Sequence, residues 1–404
     1  MVRARSVLNM IMMSFGAMAV VTVVYYLWGW SMSYNDRSIA GIIGNPLTHF
    51  GLKDTIYDAQ GHFLLDSHGV PVVVGVAFQV TFAIITTALI SGAIADRVKY
   101  SAWLVFTGIW VTLAYFPLAH MVWGGGLLSA HGPLGAIATP IDFAGGTVVH
   151  INAGAAALVL ALVVGRRQGF GSGLHRPSNL PMVMLGAALL WFGWFGFNAG
   201  SAFTADGTAG LAWVNTTGAT AAAVLGWLLA ERLRDGHVTS LGAASGVVAG
   251  LVAITPAAGA LSPLGSLALG AVAGALCAYA VGLKYRLGFD DSLDVVGVHL
   301  VAGLWGTIGI GLLATKTGLL YGGGPSQIVV QAIIAAVAVG FSLLVTTVVA
   351  LGIRATTGWR VADHHEVGGI DHVLHAETAY DLHPVERTAE QPPEQPVEQP
   401  VQVA

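Results

Sequence analysis

The chain has 404 residues, of which 55% are hydrophobic and only 9% are charged. A soluble domain typically carries roughly 25% charged residues, so this chain has too few charges to cover a water-facing surface and is expected to be an integral membrane protein. The formal net charge of −4 argues against a nucleic-acid partner, and the single cysteine, Cys277, excludes an intramolecular disulfide.

Ten apolar stretches are long enough to cross a bilayer, which takes about 20 residues. Their many glycine and alanine residues favour close packing of helices, and their continuous apolar character excludes the alternating strands of a membrane barrel. The sequence therefore predicts an all-α, polytopic membrane helical bundle. The stretches are residues 7–33, 70–92, 101–122, 144–165, 181–200, 209–230, 239–258, 262–283, 295–315 and 326–351.

The basic residues set the predicted orientation of the bundle. If the N-terminus is inside and the spans alternate, 14 of the 17 Lys and Arg residues lie in inner segments. The other three, Arg37, Lys53 and Lys316, lie in outer loops. The first stretch has the basic start of a signal peptide, but it ends in the aromatic run LWGWSMSY, so we interpret it as a span.

Two histidines lie in echoing contexts within the apolar stretches. VVHINAG at 148–154 and GVHLVAG at 297–303 share the pattern V-H-x-x-A-G, each after an aspartate, Asp142 and Asp294. Four spans separate the two helices, so alternation makes His150 and His299 lie on antiparallel helices. This arrangement is typical of an inverted repeat, with a functional site near the membrane midplane.

Ionisable residues within spans usually line a pathway, which favours a functional role for both histidines. The alternative for His150 is a core histidine bonded to a backbone carbonyl. A metal site would need a third or fourth ligand, and no Cys, Glu or third His accompanies the pair within the spans. The sequence therefore predicts no metal and no cofactor.

Five longer motifs occur in order along the chain and closely resemble the Amt/Mep/Rh ammonium transporter family, on its Amt branch. The resemblance covers residues 1–380 and implies an eleven-helix bundle with an inverted five-helix repeat. It also implies a homotrimer with a separate pore through each subunit. The motifs are AHMVWGGGLLSAHG at 119–132, DFAGGTVVHINAG at 142–154, NLPMVMLGAALLWFGWFGFNAGSA at 179–202, ITPAAG at 254–259 and DVVGVHLVAG at 294–303.

The resemblance assigns an external ammonium site. Trp123, Phe82 and Ser201 match that site, and Phe78 matches the partner of Phe82 in an outer aromatic pair. An aromatic face attracts a cation by about 0.5–2 kcal/mol, depending on desolvation, and Ser201 offers an acceptor. Asp142 matches an aspartate that supports the site without touching the substrate. Packing and helix-ending roles are the alternatives, and Asp142 could equally cap the helix of His150.

The resemblance also assigns the pore lining. Phe82 and Phe197 match two gate rings, His150 and His299 match twin pore histidines, and Thr255 matches a hydroxyl near the inner pore. A charge at the bilayer centre costs roughly 3 to more than 10 kcal/mol, so the proton has to leave the nitrogen or travel separately. Neutral imidazoles offer one donor and one acceptor nitrogen, and can bond a passing ammonia or relay its proton.

The sequence departs from the family at two places. The family has eleven spans and an outer N-terminus, whereas this sequence shows ten spans and begins with a segment that resembles the second family helix. We expect either a start codon assigned too late or a true ten-span variant. Near the other end, the family pattern His-Gly-Glu reads His375-Ala376-Glu377 here, which would strain the turn if it needs a positive φ.

These features predict three regions. Residues 1–351 form the transmembrane transporter domain, 352–380 a cytoplasmic regulatory segment, and 381–404 a disordered Pro/Glu/Gln-rich tail. In the family such a segment couples subunits and, in many members, binds a PII-type signal protein.

The leading function is conduction of ammonium or ammonia across the bacterial plasma membrane, with both termini cytoplasmic and no enzymatic activity. The alternative is an ammonium sensor of the same fold. Sensors of this family often carry an appended signalling domain, and the tail after Tyr380 is too short and too polar to be one.

Overall fold

A computed structural model describes residues 2–171 and 177–380 of the chain. These residues are mostly helical, and the described ranges contain one two-stranded sheet, in which Ser38–Ile39 pairs with Ile43–Gly44. The predicted all-α membrane bundle is therefore confirmed. Ten long helices follow the ten predicted stretches: α1 Val7–Tyr34, α2 Val72–Ile94, α3 Tyr100–Val122, α4 Gly146–Val164, α5 Leu180–Gly200, α6 Gly207–Asp235, α7 Ser240–Ile254, α8 Pro263–Leu287, α9 Val296–Leu313 and α10 Ser326–Ala355.

Within the described residues, eight of these helices are long and apolar enough to cross a membrane. The other two are α6, which ends in a charged turn with Arg232 and Arg234, and α7, which is apolar but has only 15 residues. The count of ten spans therefore stays a prediction. The predicted tail, 381–404, lies outside the described residues.

Helices α5 to α8 begin at polar residues that the sequence places just before each apolar run. The side chain of each of these residues accepts a hydrogen bond from a backbone N–H two or three positions later. Such caps satisfy donors that the first helical turn leaves without partners. The capping residues are Asn179, Asp206, Thr239 and Ser262.

Glycine allows helices α6 and α8 to pack in close contact. A Cβ atom at Gly270 would collide with the carbonyl of Ala219, and one at Gly274 would collide with the carbonyl of Ala223. The backbones of the two helices therefore touch along this seam. Small residues are expected at such contacts, because van der Waals packing drives helix association within a membrane.

A buried charge cluster joins the two halves of the chain at one end of the bundle. Arg167 lies three positions after the last residue of α4, and its guanidinium contacts Asp290 at 2.9 Å and Asp96 at 3.1 Å. Arg97 is fully buried and donates to the carbonyls of Ala93 and Asp290. Because Asp290 precedes α9, the end of α4 lies beside the start of α9, and the two helices run antiparallel, as the inverted repeat requires.

Two short helices, α11 Asp363–Gly368 and α12 Ile370–His375, lie against the same end of the bundle. The Asp371 carboxylate accepts hydrogen bonds from the backbone N–H groups of Leu8 and Asn9, at 3.0 and 2.7 Å, and so caps the start of α1. Ala376 ends α12 with φ 55° and ψ 28°. The position where the family has glycine therefore does adopt a left-handed conformation.

Candidate functional site

The site is centred on two phenyl rings contributed by helices α2 and α5. Phe82 of α2 and Phe197 of α5 stack with their centroids 4.1 Å apart and an angle of 18° between their planes. Phe82 is almost fully buried, and Phe78, one turn earlier on α2, lies edge-on to it at 4.8 Å. At this separation the two rings are in van der Waals contact and leave no space between them.

An indole and a hydroxyl lie beside the stacked rings. Trp123 directly follows α3, lies perpendicular to Phe82 at 5.9 Å, and donates from Nε1 to the backbone carbonyl of Asp142 at 2.8 Å. Ser201 directly follows α5, and its hydroxyl donates to the carbonyl of Phe197 at 2.8 Å. Because the Ser201 proton is used within the protein, its oxygen lone pairs remain able to accept a hydrogen bond.

Asp142 caps the helix that carries His150, as one of the two interpretations of the sequence predicts. Its carboxylate accepts hydrogen bonds from the backbone N–H groups of Gly145, Thr147 and Val148, at 3.1, 3.0 and 3.1 Å. Gly145 has φ 106°, which a residue with a Cβ rarely adopts, and this conformation turns the chain back over the carboxylate. Burial raises the pKa of Asp142 to about 6, although the backbone donors oppose the shift.

The two histidines face each other in the interior of the bundle. Nδ1 of His150 and Nδ1 of His299 are 3.2 Å apart, and the ring planes differ by 22°. His150 is fully buried, and its Nε2 has no hydrogen-bond partner among the described residues. Its polar contact is therefore the other histidine and not a backbone carbonyl. A hydrogen bond between two Nδ1 atoms requires that one of them carries the proton and the other accepts it.

The start of the second histidine helix repeats the cap of the first. The carboxylate of Asp291 accepts hydrogen bonds from the backbone N–H groups of Val295 and Val296, at 3.0 and 2.7 Å. Asp291 precedes His299 by eight positions, as Asp142 precedes His150. Sequence analysis paired Asp142 with Asp294, and this pairing is wrong: Asp294 instead bonds Lys284 at 2.6 Å.

Both histidines lie in helical turns that are wider than an α-helical turn. The π-helical segments Gly146–Ile151 and Val296–Leu300 open α4 and α9, and each contains its histidine. Wide turns of this kind frequently occur at functional sites. The sequence carries no proline at these turns that would have revealed them.

Trp194 is a site residue that the sequence analysis missed. Its indole stacks on His150 with centroids 5.5 Å apart, and its Nε1 donates to the Thr255 hydroxyl at 2.8 Å. Thr255 also accepts, at its backbone carbonyl, the N–H of Ala144 at 3.1 Å. Trp194 precedes Phe197 by three positions on α5, and this helical spacing places both aromatic rings on one face.

Two cavities reach the aromatic and histidine side chains described above from opposite ends of α5. The outer cavity, of about 870 Å³, is lined by Phe78 and by the end of α5 with the start of α6. The inner cavity, of about 670 Å³, is lined by Trp194, His299 and Asp294 and by the start of α5. Phe78 lines the outer cavity and His299 lines the inner one, whereas Phe82, Phe197 and His150 line neither of the two.

Comparisons of sequence and of structure both find similarity to Amt and Mep proteins. Residues 1–380 match the Ammonium Transporter Family. An ammonium transporter of Mycobacterium tuberculosis is 54% identical over 409 residues, which cover 95% of this chain and 85% of that protein. Its name describes a transport protein and not an enzyme.

Two solved structures are similar over most of the chain. A sensor Amt protein has a TM-score of 0.82 at 27% identity, covering 92% of this chain and 90% of that one. Mep2 of Saccharomyces cerevisiae has a TM-score of 0.77 at 32% identity, covering 86% and 78%. On the match over residues 1–380 and the identity to its relatives, the chain belongs to the ammonium transporter family.

Proposed function

We propose that this chain is a channel-like transporter that recruits NH4+ at an outer aromatic site and conducts NH3, or NH3 together with H+, past the paired histidines. Membership in the family supports ammonium transport as the general function. The proposed conduction past the histidines rests on the pair of buried imidazoles, whose Nδ1 atoms are 3.2 Å apart. The ring of Phe197, one of the two proposed gate residues, has its centroid 6.4 Å from that of His150.

Recruitment rests on Trp123, Phe82 and Ser201. Aromatic faces replace part of the hydration of a small cation, at about 0.5–2 kcal/mol for each ring, and the Ser201 oxygen accepts one N–H. The Asp142 backbone carbonyl accepts the Trp123 indole N–H, and the Asp142 carboxylate adds a negative charge near the site when it is ionised. This set attracts NH4+ to the gate without carrying its charge across.

Conduction past the gate requires that the substrate loses its charge or that the proton travels apart from it. Desolvation favours the neutral form of an amine, and the apolar rings of Phe82 and Phe197 provide that environment. The histidine pair then offers hydrogen bonds that replace lost water. Because the two Nδ1 atoms share one proton, one ring presents an acceptor at Nε2 and the other presents a donor.

The proposal extends to assembly and location. The protein acts as a homotrimer with one pore in each subunit, in the bacterial plasma membrane, with both termini of this chain cytoplasmic. Residues 352–380 are the proposed regulatory segment. Asp371 holds this segment at the start of α1, so a PII-type signal protein that docks there would act on the bundle through that contact.

Reconstitution in liposomes tests the transport function. Ammonium flux into vesicles and ammonium-evoked current are recorded on the same preparation, with trimer content measured by size-exclusion chromatography. Flux above that of empty vesicles supports the proposal. The ratio of charge to nitrogen then separates neutral ammonia transport from transport of ammonia with a proton.

The sensor is the second candidate, and the likeness to a solved sensor Amt protein favours it. A sensor signals occupancy of the outer site and needs no flux. Assembled trimers that bind ammonium but transport none would establish the sensor function and refute transport.

A further inference from the structure

A fully buried histidine, His120, lies three positions before Trp123 at the end of α3. Nδ1 of its ring is 3.2 Å from the backbone carbonyl oxygen of Ser33, and Nε2 is 2.8 Å from the hydroxyl oxygen of Ser38. A carbonyl oxygen can only accept a hydrogen bond, so Nδ1 carries the proton and donates to Ser33. In the neutral ring, Nε2 then accepts a hydrogen bond from the Ser38 hydroxyl. We call His120, Ser33 and Ser38 the His120 network.

The bond to Ser33 joins α3 to the end of α1. Ser33 is the next-to-last residue of α1, which ends at Tyr34. The last carbonyl groups of a helix have no partner within the helix, and the imidazole of His120 provides one for the carbonyl of Ser33. His120 therefore caps the end of α1 from a different helix.

The bond to Ser38 joins α3 to the short hairpin formed by the strands Ser38–Ile39 and Ile43–Gly44. Ser38 begins this hairpin and is exposed. The hairpin also contacts the chain beyond α3, because the backbone N–H of Leu127 donates to the carbonyl of Gly41 at 2.9 Å. An exposed hairpin is thereby linked to a fully buried imidazole.

The backbone of His120 holds the turn that carries Trp123. The carbonyl of His120 accepts hydrogen bonds from the N–H groups of Gly124 and Gly126, each at 3.0 Å. Gly124 also packs directly on the His120 network, because a Cβ atom there would collide with Nδ1 of His120 and with the carbonyl of Ser33. The turn and the imidazole are therefore in direct contact, and a shift of one displaces the other.

The position of this turn determines where the Trp123 indole lies. The indole is perpendicular to the Phe82 ring, with centroids 5.9 Å apart, and its Nε1 donates to the Asp142 carbonyl at 2.8 Å. Attraction between a cation and an aromatic ring requires the cation to lie over the ring face, within about 6 Å of the centroid. A displaced turn would therefore weaken capture of a cation even with the indole itself unchanged.

We propose that His120 is a positioning residue for ammonium capture. By tying the end of α1 and the short hairpin to the turn of Trp123, it holds the indole in the orientation that attracts the cation. His120 lines neither of the two cavities, so it acts through Trp123 and does not contact the substrate. The effect on capture rests on the proposed transport function, whereas the connection between the three segments does not.

The first test is Ser38→Ala, measured as the concentration dependence of ammonium uptake in liposomes. Because Ser38 is exposed, its substitution opens no cavity in the core, and it removes only the donor to Nε2 of His120. We expect KM to rise about 2- to 10-fold with kcat unchanged, which corresponds to the net contribution of one hydrogen bond. Ser67→Ala, in an exposed outer loop, is the matched control and should leave KM unchanged.

His120→Asn removes the same bond from the other side. The shorter amide can still donate to the carbonyl of Ser33 but does not reach Ser38. We expect a rise in KM similar to that of Ser38→Ala, and the double variant should have no higher KM than the single variants, because both changes remove one interaction. An unchanged KM in Ser38→Ala and in His120→Asn would overturn the positioning role. Thermal unfolding of each variant shows that the bundle is intact.

The Trp123→Leu background separates positioning of the indole from a general structural role. If the bond to Ser38 acts through the indole, Ser38→Ala should raise KM no further once the indole is absent. A further rise by the same factor as in the parent protein would show that the bond does not act through Trp123, and would overturn the proposal.

Hydrogen exchange tests the connection without any transport measurement. The amides of Gly124 and Gly126, followed by mass spectrometry of the peptide that contains them, should exchange faster in Ser38→Ala than in the parent protein or in Ser67→Ala. Equal exchange in all three proteins would overturn the connection. A parent protein that takes up no ammonium would refute the proposed transport function, and the exchange measurement would still decide whether the His120 network holds the turn.

Discussion

The His150 helix and the His299 helix begin with the same cap but in different surroundings. In both, an aspartate eight positions before the histidine accepts backbone N–H groups at the start of a wide helical turn. Asp142 accepts the Trp123 indole N–H at its backbone carbonyl, and among the described residues its carboxylate forms no ion pair. Asp291, in contrast, lies beside the Lys284–Asp294 ion pair.

This comparison distinguishes the feature that both histidine helices share, the aspartate cap, from the features that differ between them, the residues around each cap. The shared cap orients the two histidines toward each other, so it is a structural requirement of both halves. The indole of Trp123 belongs to the surroundings of the Asp142 cap, and the Lys284–Asp294 ion pair belongs to those of the Asp291 cap. Function is therefore expected to follow the surroundings, and stability is expected to follow the cap.

The strongest test of this comparison removes each cap in turn. Asp142→Ala and Asp291→Ala should each lower the free energy of unfolding by about 2 kcal/mol, the upper range for a lost helix cap. Only Asp142→Ala should also abolish uptake at low ammonium. Thermal unfolding and uptake in liposomes measure the two effects. Asp206→Ala, which removes the exposed cap of α6, is the control, and equal loss of uptake in both variants would break the comparison.

The histidine pair provides the second test. His150→Asn and His299→Asn keep a donor and an acceptor but remove a group that can take up a proton. Each should leave folding and assembly intact and lose proton-linked current or selectivity against potassium. Ammonium-evoked current and potassium competition measure this, with exposed His62→Asn as the control. Unchanged current and selectivity in both variants would remove the histidines from the mechanism.

Trp123→Leu tests the outer aromatic site. Loss of one cation–π contact should raise KM about 2- to 30-fold, the range that corresponds to 0.5–2 kcal/mol, and leave the maximal rate nearly unchanged. The measurement is uptake over a range of external ammonium concentrations. If uptake instead falls by the same factor at all concentrations, Trp123 is a structural residue that positions the segment of Asp142.

External pH sharpens the comparison further. Burial raises the pKa of Asp142 to about 6, so the carboxylate is ionised above this pH and becomes neutral below it. Uptake at low ammonium should therefore fall as the external pH decreases through about 6, while NH4+ itself stays protonated. Asp142→Asn should take up little ammonium at low concentration, whatever the pH. Constant uptake by the parent protein between about pH 5 and 7, one unit on either side of this pKa, would contradict the role of the charge.

The smallest expected effect concerns the inner end. Ala376 is held at φ 55° after α12, and a residue with a Cβ in this conformation costs about 1–2 kcal/mol relative to glycine. Ala376→Gly should therefore stabilise the segment that contains α12 by about 1 kcal/mol and leave transport unchanged. Hydrogen exchange of the amides of α12 measures the gain, and faster exchange in the variant would show that the alanine is not strained.

The sequence predicted the parts of this molecule that repeat a local pattern. Apolar length predicted the ten helices, and the V-H-x-x-A-G echo predicted that His150 and His299 belong together. Trp194 was missed because its partner is distant in sequence: Thr255, to whose hydroxyl it donates, is 61 positions away. Asp291 was missed because Asp294 lies nearer to the histidine, although equal spacing of eight residues would have identified it.

In the proposed proton relay, the hydrogen bond between the two Nδ1 atoms makes each transfer directional. When a proton enters at Nε2 of one ring, one crosses between the Nδ1 atoms and one leaves at Nε2 of the other, all without movement of a heavy atom. Both tautomers are then reversed, and the ring that first offered an acceptor now offers a donor. A second proton cannot follow the same route until both rings rotate or the transfer runs backwards, so each passage requires a reset of the pair.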